Sequence, residues 1–316
     1  MDLRIEENKE AEVEAALQKI ADSEDALIMS FIAPEKGVRR SPIAMDFASI
    51  TIDDLYTFET KIEEIREKAS LPDKLILVIH TPGGLAYAAT KIAKYLQSTF
   101  KNGIEAYVPY EASSGGTVLC LAAKSIVMDE VSNLTPIDPQ VPYKDGRISS
   151  ASYQQAIRDF KKQYGKLRPT EIESPYQQMA ALFDPIIEKQ MKKIVSDAMR
   201  TAFSLMRNAQ SATDPQQIDT LLDTAISLVD TPYPHSHVID KREAIELHLP
   251  ISQDNAKMEA LRVFKKWVRI KFEDGKANHV IEYTLPKKYE RGTTNDSTPE
   301  QLSAGEEPAP EQNTNG

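Results

Sequence analysis

Three features of this chain predict an α/β fold. Apolar runs of strand length alternate with stretches of helical periodicity, and that order implies a parallel or mixed sheet with crossover helices. Two glycine-bearing turns, Thr81-Pro82-Gly83-Gly84 and Ser113-Ser114-Gly115-Gly116-Thr117, close two of the strand patterns about thirty residues apart. A length of 316 residues leaves room for one large core with appended helices.

The elements follow in order. Residues 1–25 form an amphipathic helix, with Leu3, Ile5, Val13, Leu17 and Ile20 set among acids and lysines. The α/β core spans 26–147 and opens with a strand from Ala26 to Ile32, a Pro/Gly/Arg loop from Pro34 to Pro42, and a short apolar patch at Ile43-Ala44-Met45. Thr51 then caps a helix whose Leu55, Phe58, Ile62 and Ile65 recur at steps of three or four, with Asp53 and Asp54 at its positive end. A strand over 74–80 leads through the first glycine turn into a helix with Ala89, Ile92, Ala93 and Leu96 on one face. A strand over 104–108, a helix over 114–123 and a strand over 125–128 follow. Residues 148–286 read as mainly helical: 151–164, a long helix from Pro175 to about Arg207, 215–229, 241–247 and 252–270. The long helix, with Met179, Leu182, Phe183, Ile186, Ile187, Met191, Ile194 and Met199, needs a partner surface, either in its own domain or in another subunit.

Composition narrows the function. The single cysteine, Cys120, lies in an apolar run and reads as a small buried hydrophobe, and one cysteine makes no intrachain disulfide. The charged amino terminus lacks the apolar core of a signal peptide, and apolar runs are too short for a membrane span, so the expectation is a soluble, cytoplasmic protein. The net charge of −10 argues against a nucleic-acid partner. About half of it sits in residues 289–316, with six acids against one base, and residues 287–316 have the composition of a disordered acidic tail.

The two glycine turns suit acyl transfer, which needs a nucleophile on a sharp turn with backbone N–H groups beside it. Ser114 is the candidate nucleophile, because it follows a strand and precedes two glycines and a helix; Ser113 is its neighbour and rival, and the plain alternative is a helix N-cap. Gly83, Gly84 and Gly115 are the candidate oxyanion donors. The Gly-X-Ser-X-Gly elbow of α/β-hydrolases is absent, and no Lys-Ser/Thr pair follows the glycines as it does in a phosphate-binding loop. Among the histidines, His80 adjoins the first turn as a site or core residue, and the His235-Ser236-His237 alternation favours a structural role over a metal site. No metal and no cofactor is expected.

Four motifs in order, His80-Thr81-Pro82-Gly83-Gly84, Ser113 to Ala123, Ser125 to Glu130 and Leu134-Thr135-Pro136-Ile137-Asp138-Pro139-Gln140, resemble the serine dehydrogenase proteinase family. That family is grouped with signal peptide peptidase A-type and Clp-type serine peptidases. The resemblance implies a crotonase-like spiral of ββα units with a helical C-terminal extension, Ser114 as nucleophile, an oxyanion hole around Gly84 and Gly115, and assembly into a homo-oligomer. Clp-type relatives carry a catalytic histidine about 25 residues after the serine, where this chain has Asp138-Pro139-Gln140. Signal peptide peptidase A-type relatives use a lysine ahead of a Ser-Pro segment. Lys166, before Ser174-Pro175 and Met179, matches in order across a longer gap, with Lys161 and Lys162 as rivals. Ser132 and Thr135 are the candidates for orienting the amine.

The expectation is a serine endopeptidase cutting polypeptide substrates with a Ser-Lys dyad. Two alternatives carry different signatures. A non-catalytic scaffold of the same fold would keep every lysine away from Ser114, and acyl-CoA enolate chemistry would need a carboxylate pair near the glycines, where only Glu111 stands.

Overall fold

Alternate residues of a strand face opposite sides of its sheet, so a strand apolar throughout must be covered on both faces. Leu75 to Ile79 meets that description and Leu27 to Ile32 does so but for Ser30, and in the computed structural model every one of these residues is buried. The structure describes residues 2–33, 49–143, 146–168, 171–172, 176–178, 184–230, 233–234, 236–273 and 279–290. Its first half runs α1 (Asp2–Glu24), β1 (Leu27–Ile32), α2 (Ile52–Lys68), β2 (Lys74–His80), α3 (Ala86–Thr99), β3 (Gly103–Tyr107), β4 (Glu111–Ala112), α4 (Gly115–Cys120), β5 (Ser125–Val127) and β6 (Asn133–Leu134). The second half runs β7 (Gln140–Tyr143), β8 (Gly146–Ser149), α5 (Ser150–Tyr164), α6 (Pro185–Gln210), α7 (Pro215–Val229), α8 (Lys241–Glu246), α9 (Asn255–Glu273), β9 (Tyr283–Thr284) and a 3-10 turn, Lys287–Tyr289.

The main sheet has the order β5-β3-β2-β1-β9, parallel except for β9 at the edge. β1 and β2 pair in register from Leu27 opposite Leu75 to Ile32 opposite His80. Leu27, Met29 and Phe31 of β1 and Leu75, Leu77 and Ile79 of β2 face a layer built on α2, α3 and α4. Ile28 and Ile32, with Ile76 and Val78, face a second layer where α1 supplies Val13 and Leu17 and α9 supplies Phe264 and Trp267. A register slip of one residue would exchange the two layers, which is why β1 and β2 are held so specifically. The fold is thus an α/β Clp-peptidase-like arrangement, with a small second sheet in which β4 and β6 pair in parallel.

Buried Ser30 explains how β9 reaches a strand that is otherwise apolar. Its hydroxyl donates to the Val280 carbonyl at 3.0 Å and accepts from the Glu282 amide at 3.0 Å, so the C-terminal segment satisfies the group it covers.

The structure differs from the sequence reading in several places. The long helix starts at Pro185 rather than Pro175, because Asp184 caps it through the Ile186 and Ile187 amides and Pro185 suits the first helical position. Residues 140–149, to which the sequence reading assigned no element, contain the antiparallel pair β7–β8, and β4, β6 and β9 are further strands it did not foresee. The last long helix begins at Asn255 instead of Ser252. The acidic terminal stretch is anchored at its start, where the Lys287 amide donates to Asp22 at 2.8 Å and Lys288 pairs with Asp25 at 2.7 Å. The 34–42 loop, the Ile43-Ala44-Met45 patch, Ser174, Pro175, Met179, Leu182, Phe183 and residues 291–316 lie outside the described residues.

Candidate active site

Three segments meet where β2 and β4 end. The first carries Gly83 and Gly84 between β2 and α3, the second carries Ser114 between β4 and α4, and the third carries Thr135 just after β6. The Thr81 amide donates to the Glu111 carbonyl at 2.9 Å and the Ser113 amide to the Thr81 carbonyl at 3.0 Å, tying the first two segments together.

Ser114 has φ 48° and ψ −102°, backbone angles that an L-residue seldom adopts. Tertiary bonds hold it there: its amide donates to Thr135 Oγ1 at 2.8 Å, and its carbonyl accepts from Val118 at 3.1 Å. The Ser114 side chain makes no capping bond, so the N-cap role open to a serine before a helix is not the one this side chain takes. Ser113, the rival, is buried and donates its hydroxyl to Glu111, which also leaves that carboxylate engaged. Thr117 lies beneath the turn, with its hydroxyl 2.9 Å from the Ala112 carbonyl and 2.8 Å from the Thr135 carbonyl.

The glycines are distinguished by what surrounds them. Gly83 has φ 100°, and a Cβ there would come within 2.7 Å of the Ser113 carbonyl and 3.1 Å of Ser114 Cβ. Its amide is committed to Thr81 Oγ1 at 3.1 Å, which removes it as a free donor. A Cβ on Gly84 would lie 2.1 Å from the Ile50 nitrogen. A Cβ on Gly115 would lie 3.3 Å from the Gly84 nitrogen, so these two glycines face each other beside Ser114. The amides of Gly84 and Gly115 have no hydrogen-bond acceptor among the described residues. Gly115 also stands at the first turn of α4, where an amide lacks an intrahelical partner.

Ile50 is a site residue that the sequence reading missed. Its amide donates to the Gly83 carbonyl and its carbonyl accepts from Leu85, both at 2.9 Å, so it brackets Gly84. Thr51, next to it, donates its amide to Asp54 at 2.7 Å, and the other oxygen of Asp54 meets His279 Nδ1 at 2.5 Å. No local motif at Ile50 signals this role, because it depends on a backbone pairing made across the fold.

His80 is buried against Tyr110, and its Nδ1 accepts from the Glu111 amide at 3.3 Å. Burial pulls its pKa down to about 4, so the ring stays neutral near pH 7 and buttresses the β2–β4 junction. Cys120, at the end of α4, is fully enclosed and its thiol pKa is pushed up by burial. In the Asp138-Pro139-Gln140 segment, Asp138 is buried and accepts from the Ser149 hydroxyl at 2.7 Å. His237 is stacked on Tyr233 and lies 2.9 Å from a Glu243 oxygen; His235 lies outside the described residues.

None of the three candidate lysines is hydrogen-bonded at this corner among the described residues. Lys166 is exposed in the turn after α5, Lys162 is exposed, and Lys161 pairs with Glu188 at 2.9 Å. Among the described residues no amine is hydrogen-bonded to Ser114 Oγ. The two groups expected to orient such an amine are occupied elsewhere: Thr135 holds the Ser114 amide, and Ser132 donates to the Val108 carbonyl at 2.7 Å.

Ser114, at a backbone conformation rare for an L-residue, thus stands at the carboxyl ends of parallel strands beside two glycine amides that have no acceptor among the described residues. The model of the ClpP-like SDH-type serine proteinases matches residues 7–219, more than half of the chain, and the protein belongs to that family. Two uncharacterized proteins of Methanocaldococcus jannaschii are similar to it. MJ0137 is 38% identical over 126 residues, 40% of this chain and 42% of its own. MJ1495 is 37% identical over 114 residues, 35% of this chain and 39% of its own. The matched regions thus span well under half the length of these curated relatives. Among solved structures, a serine-to-alanine variant of the 1510-N membrane-bound stomatin-specific protease aligns at 16% identity and a TM-score of 0.40, over 67% of this chain and 79% of that one. A lysine-to-alanine variant of the same protease, in complex with a substrate peptide, aligns at 16% identity and 0.39, over 66% and 74%. No helix among the described residues is long and apolar enough to cross a membrane.

Proposed function

We propose that the protein is a serine endopeptidase in which Ser114 attacks the scissile carbonyl and the Gly84 and Gly115 amides hold the oxyanion. The observation that supports this most is the backbone of Ser114 at φ 48° beside two amides without acceptors among the described residues. Family membership supports the peptidase class. In the proposed reaction, Ser114 Oγ bonds to the carbonyl carbon as its proton passes to a general base. The tetrahedral intermediate collapses with loss of the amine, which takes up that proton, and water then releases the acyl group by the same route in reverse. Each oxyanion donor is worth about 3 kcal/mol of transition-state stabilisation.

The base in this reading is a lysine, and Lys166 is the candidate carried by the family likeness, with Lys161 and Lys162 beside it. A lysine acts as a base only when burial brings its pKa down toward the working pH. Lys166 is exposed within one chain. The proposed working state is therefore a homo-oligomer, in which a neighbouring copy covers the Lys166 segment. Leu167, next in sequence, and Ile186, at the start of α6, are exposed apolar groups that such a contact would bury.

Labelling of the full-length protein by a fluorophosphonate probe at pH about 7 and 9, beside Ser114→Ala and single alanine variants of Lys161, Lys162 and Lys166, tests each part. Loss of label in Ser114→Ala and in one lysine variant, with stronger labelling at the higher pH, is the expected result, and the lysine that fails identifies the base. A second reading, a non-catalytic binding module, rests on the absence of an amine at Ser114 among the described residues. Absence of labelling in every oligomeric state would favour that module and overturn the peptidase.

A further inference from the structure

Each of the three segments that form the Ser114 corner runs on into one open cleft. Past Gly84 the chain continues to Ala86 and Tyr87; one turn past Ser114, α4 presents Val118; and past Thr135 come Ile137 and Pro139. All of these line a space of about 1090 Å³ whose far wall is α6. That volume is at the upper end of ordinary ligand sites and accommodates several residues of extended polypeptide.

The lining has two characters. Val118, Ile137, Ala198 and Ala202 give it apolar surface, while Lys91, Lys94, Lys189, Lys192, Lys193 and Arg200 give it six cationic side chains against one carboxylate, Asp197. The chain as a whole carries −10, so this concentration of cations is contrary to the protein's overall balance. Within the structure, Lys192 is paired with Glu188 at 2.7 Å and the Lys91 ammonium lies 4.8 Å from the centroid of the Tyr87 ring. Lys94, Lys189, Lys193 and Arg200 have no ion-pair partner among the described residues. Lys189 and Lys193 stand four apart on α6, where like charges repel and weaken the helix. Cations crowded on one helix face, toward a cleft lined by the segments that run on from the Ser114 corner, make that face complementary to a chain of opposite charge.

We propose that this cleft recognises acidic polypeptide segments, in which Asp or Glu alternates with apolar residues, and so selects the substrates presented to Ser114. The apolar surface receives the apolar side chains and the ammonium and guanidinium groups receive the carboxylates. The link to cleavage rests on the peptidase reading above; the binding itself does not.

Binding is therefore measured apart from catalysis, by fluorescence anisotropy of the full-length Ser114→Ala protein with a fluorescein-labelled peptide of alternating Glu and Leu, beside its Lys and Leu counterpart. The acidic peptide binds, the basic one does not, and affinity falls as salt rises. The combined Lys189→Ala, Lys193→Ala and Arg200→Ala variant weakens acidic-peptide binding by roughly tenfold, and the single Lys94→Ala change, on α3 rather than α6, by about twofold. Equal binding of both peptides, or affinity unchanged in both variants, overturns the proposal. Selective binding by a wild-type chain that no fluorophosphonate labels sustains the cleft and removes the peptidase reading. If changing Glu300, Glu306, Glu307 and Glu311 together to Gln tightens peptide binding tenfold, the cleft belongs to the chain's own tail and the substrate assignment is wrong.

Discussion

The backbone of Ile50 is wrapped around Gly84 so closely that a methyl on Gly84 would lie 2.1 Å from the Ile50 nitrogen and 2.6 Å from its oxygen. Neither atom is the free end of a side chain, so the contact has no local relief. The open amide of Gly84 is therefore positioned by a segment more than thirty residues earlier in the chain, itself tethered through Thr51, Asp54 and His279.

Gly84→Ala is accordingly expected to lose on the order of 3 kcal/mol of stability, because backbone must move to admit the new atom. Gly115→Ala is the contrast. There the nearest atom is Ile50 Cδ1 at 3.1 Å, the movable end of a side chain. That variant is expected to stay folded with a loss below about 1.5 kcal/mol. Urea denaturation of the two variants side by side measures the difference, and equal losses would show that the Ile50 bracket is not tight.

Ser114→Gly separates strain from chemistry. Removing Cβ at φ 48° is expected to raise stability by about 1 kcal/mol, since such a conformation costs a non-glycine residue roughly that amount or more. The same change removes the nucleophile and with it all fluorophosphonate labelling. A thermal melt of Ser114→Gly lower than that of Ser114→Ala would contradict the strain argument.

Thr135→Val keeps the shape but takes away the oxygen that accepts the Ser114 amide at 2.8 Å. A donor left without its partner in a part-buried site costs about 1–3 kcal/mol, and Thr135→Ser should recover most of it. In labelling kinetics the valine variant is expected to be slowed and the serine variant near wild type. Equal rates for both would show that the turn keeps its form without Thr135.

His80 sets an expected acid limit. Its folded pKa of about 4 lies below the ordinary value of 6.5, so the unfolded chain binds the proton first. The stabilisation is full above pH about 6.5 and is lost progressively as pH falls toward 4, reaching about 3 kcal/mol in magnitude. Urea denaturation between pH 7 and 4 for wild type and His80→Asn checks this, because the variant should lack one proton's worth of slope. An identical slope would mean that His80 titrates normally.

Much of the fold was legible because apolar periodicity and burial have the same cause. Val13 and Leu17 on α1, Ile62 and Ile65 on α2, and Ile92 and Leu96 on α3 are buried as their spacing predicts. Ser114 and the paired glycines were legible because a sharp turn demands small residues at close spacing. The start of α6 at Pro185 was harder to read, since the apolar pattern continues upstream and the cap at Asp184 decides the boundary. Ile50 was invisible, because a backbone that brackets a glycine leaves no mark in its own side chain.

The sequence by itself determined the alternation of strands and helices, the glycine turns, and a serine placed between strand and helix, all of which follow from local steric preference and period. The tertiary structure alone decided which amides are engaged, because that depends on partners: Gly83 is committed to Thr81, while Gly84 is held by Ile50 and its amide has no acceptor among the described residues. It also decided that the cations of α3 and α6 face one cleft. Hydrogen bonding and charge proximity are properties of distance in space, and residues a hundred positions apart acquire them only when the chain is folded.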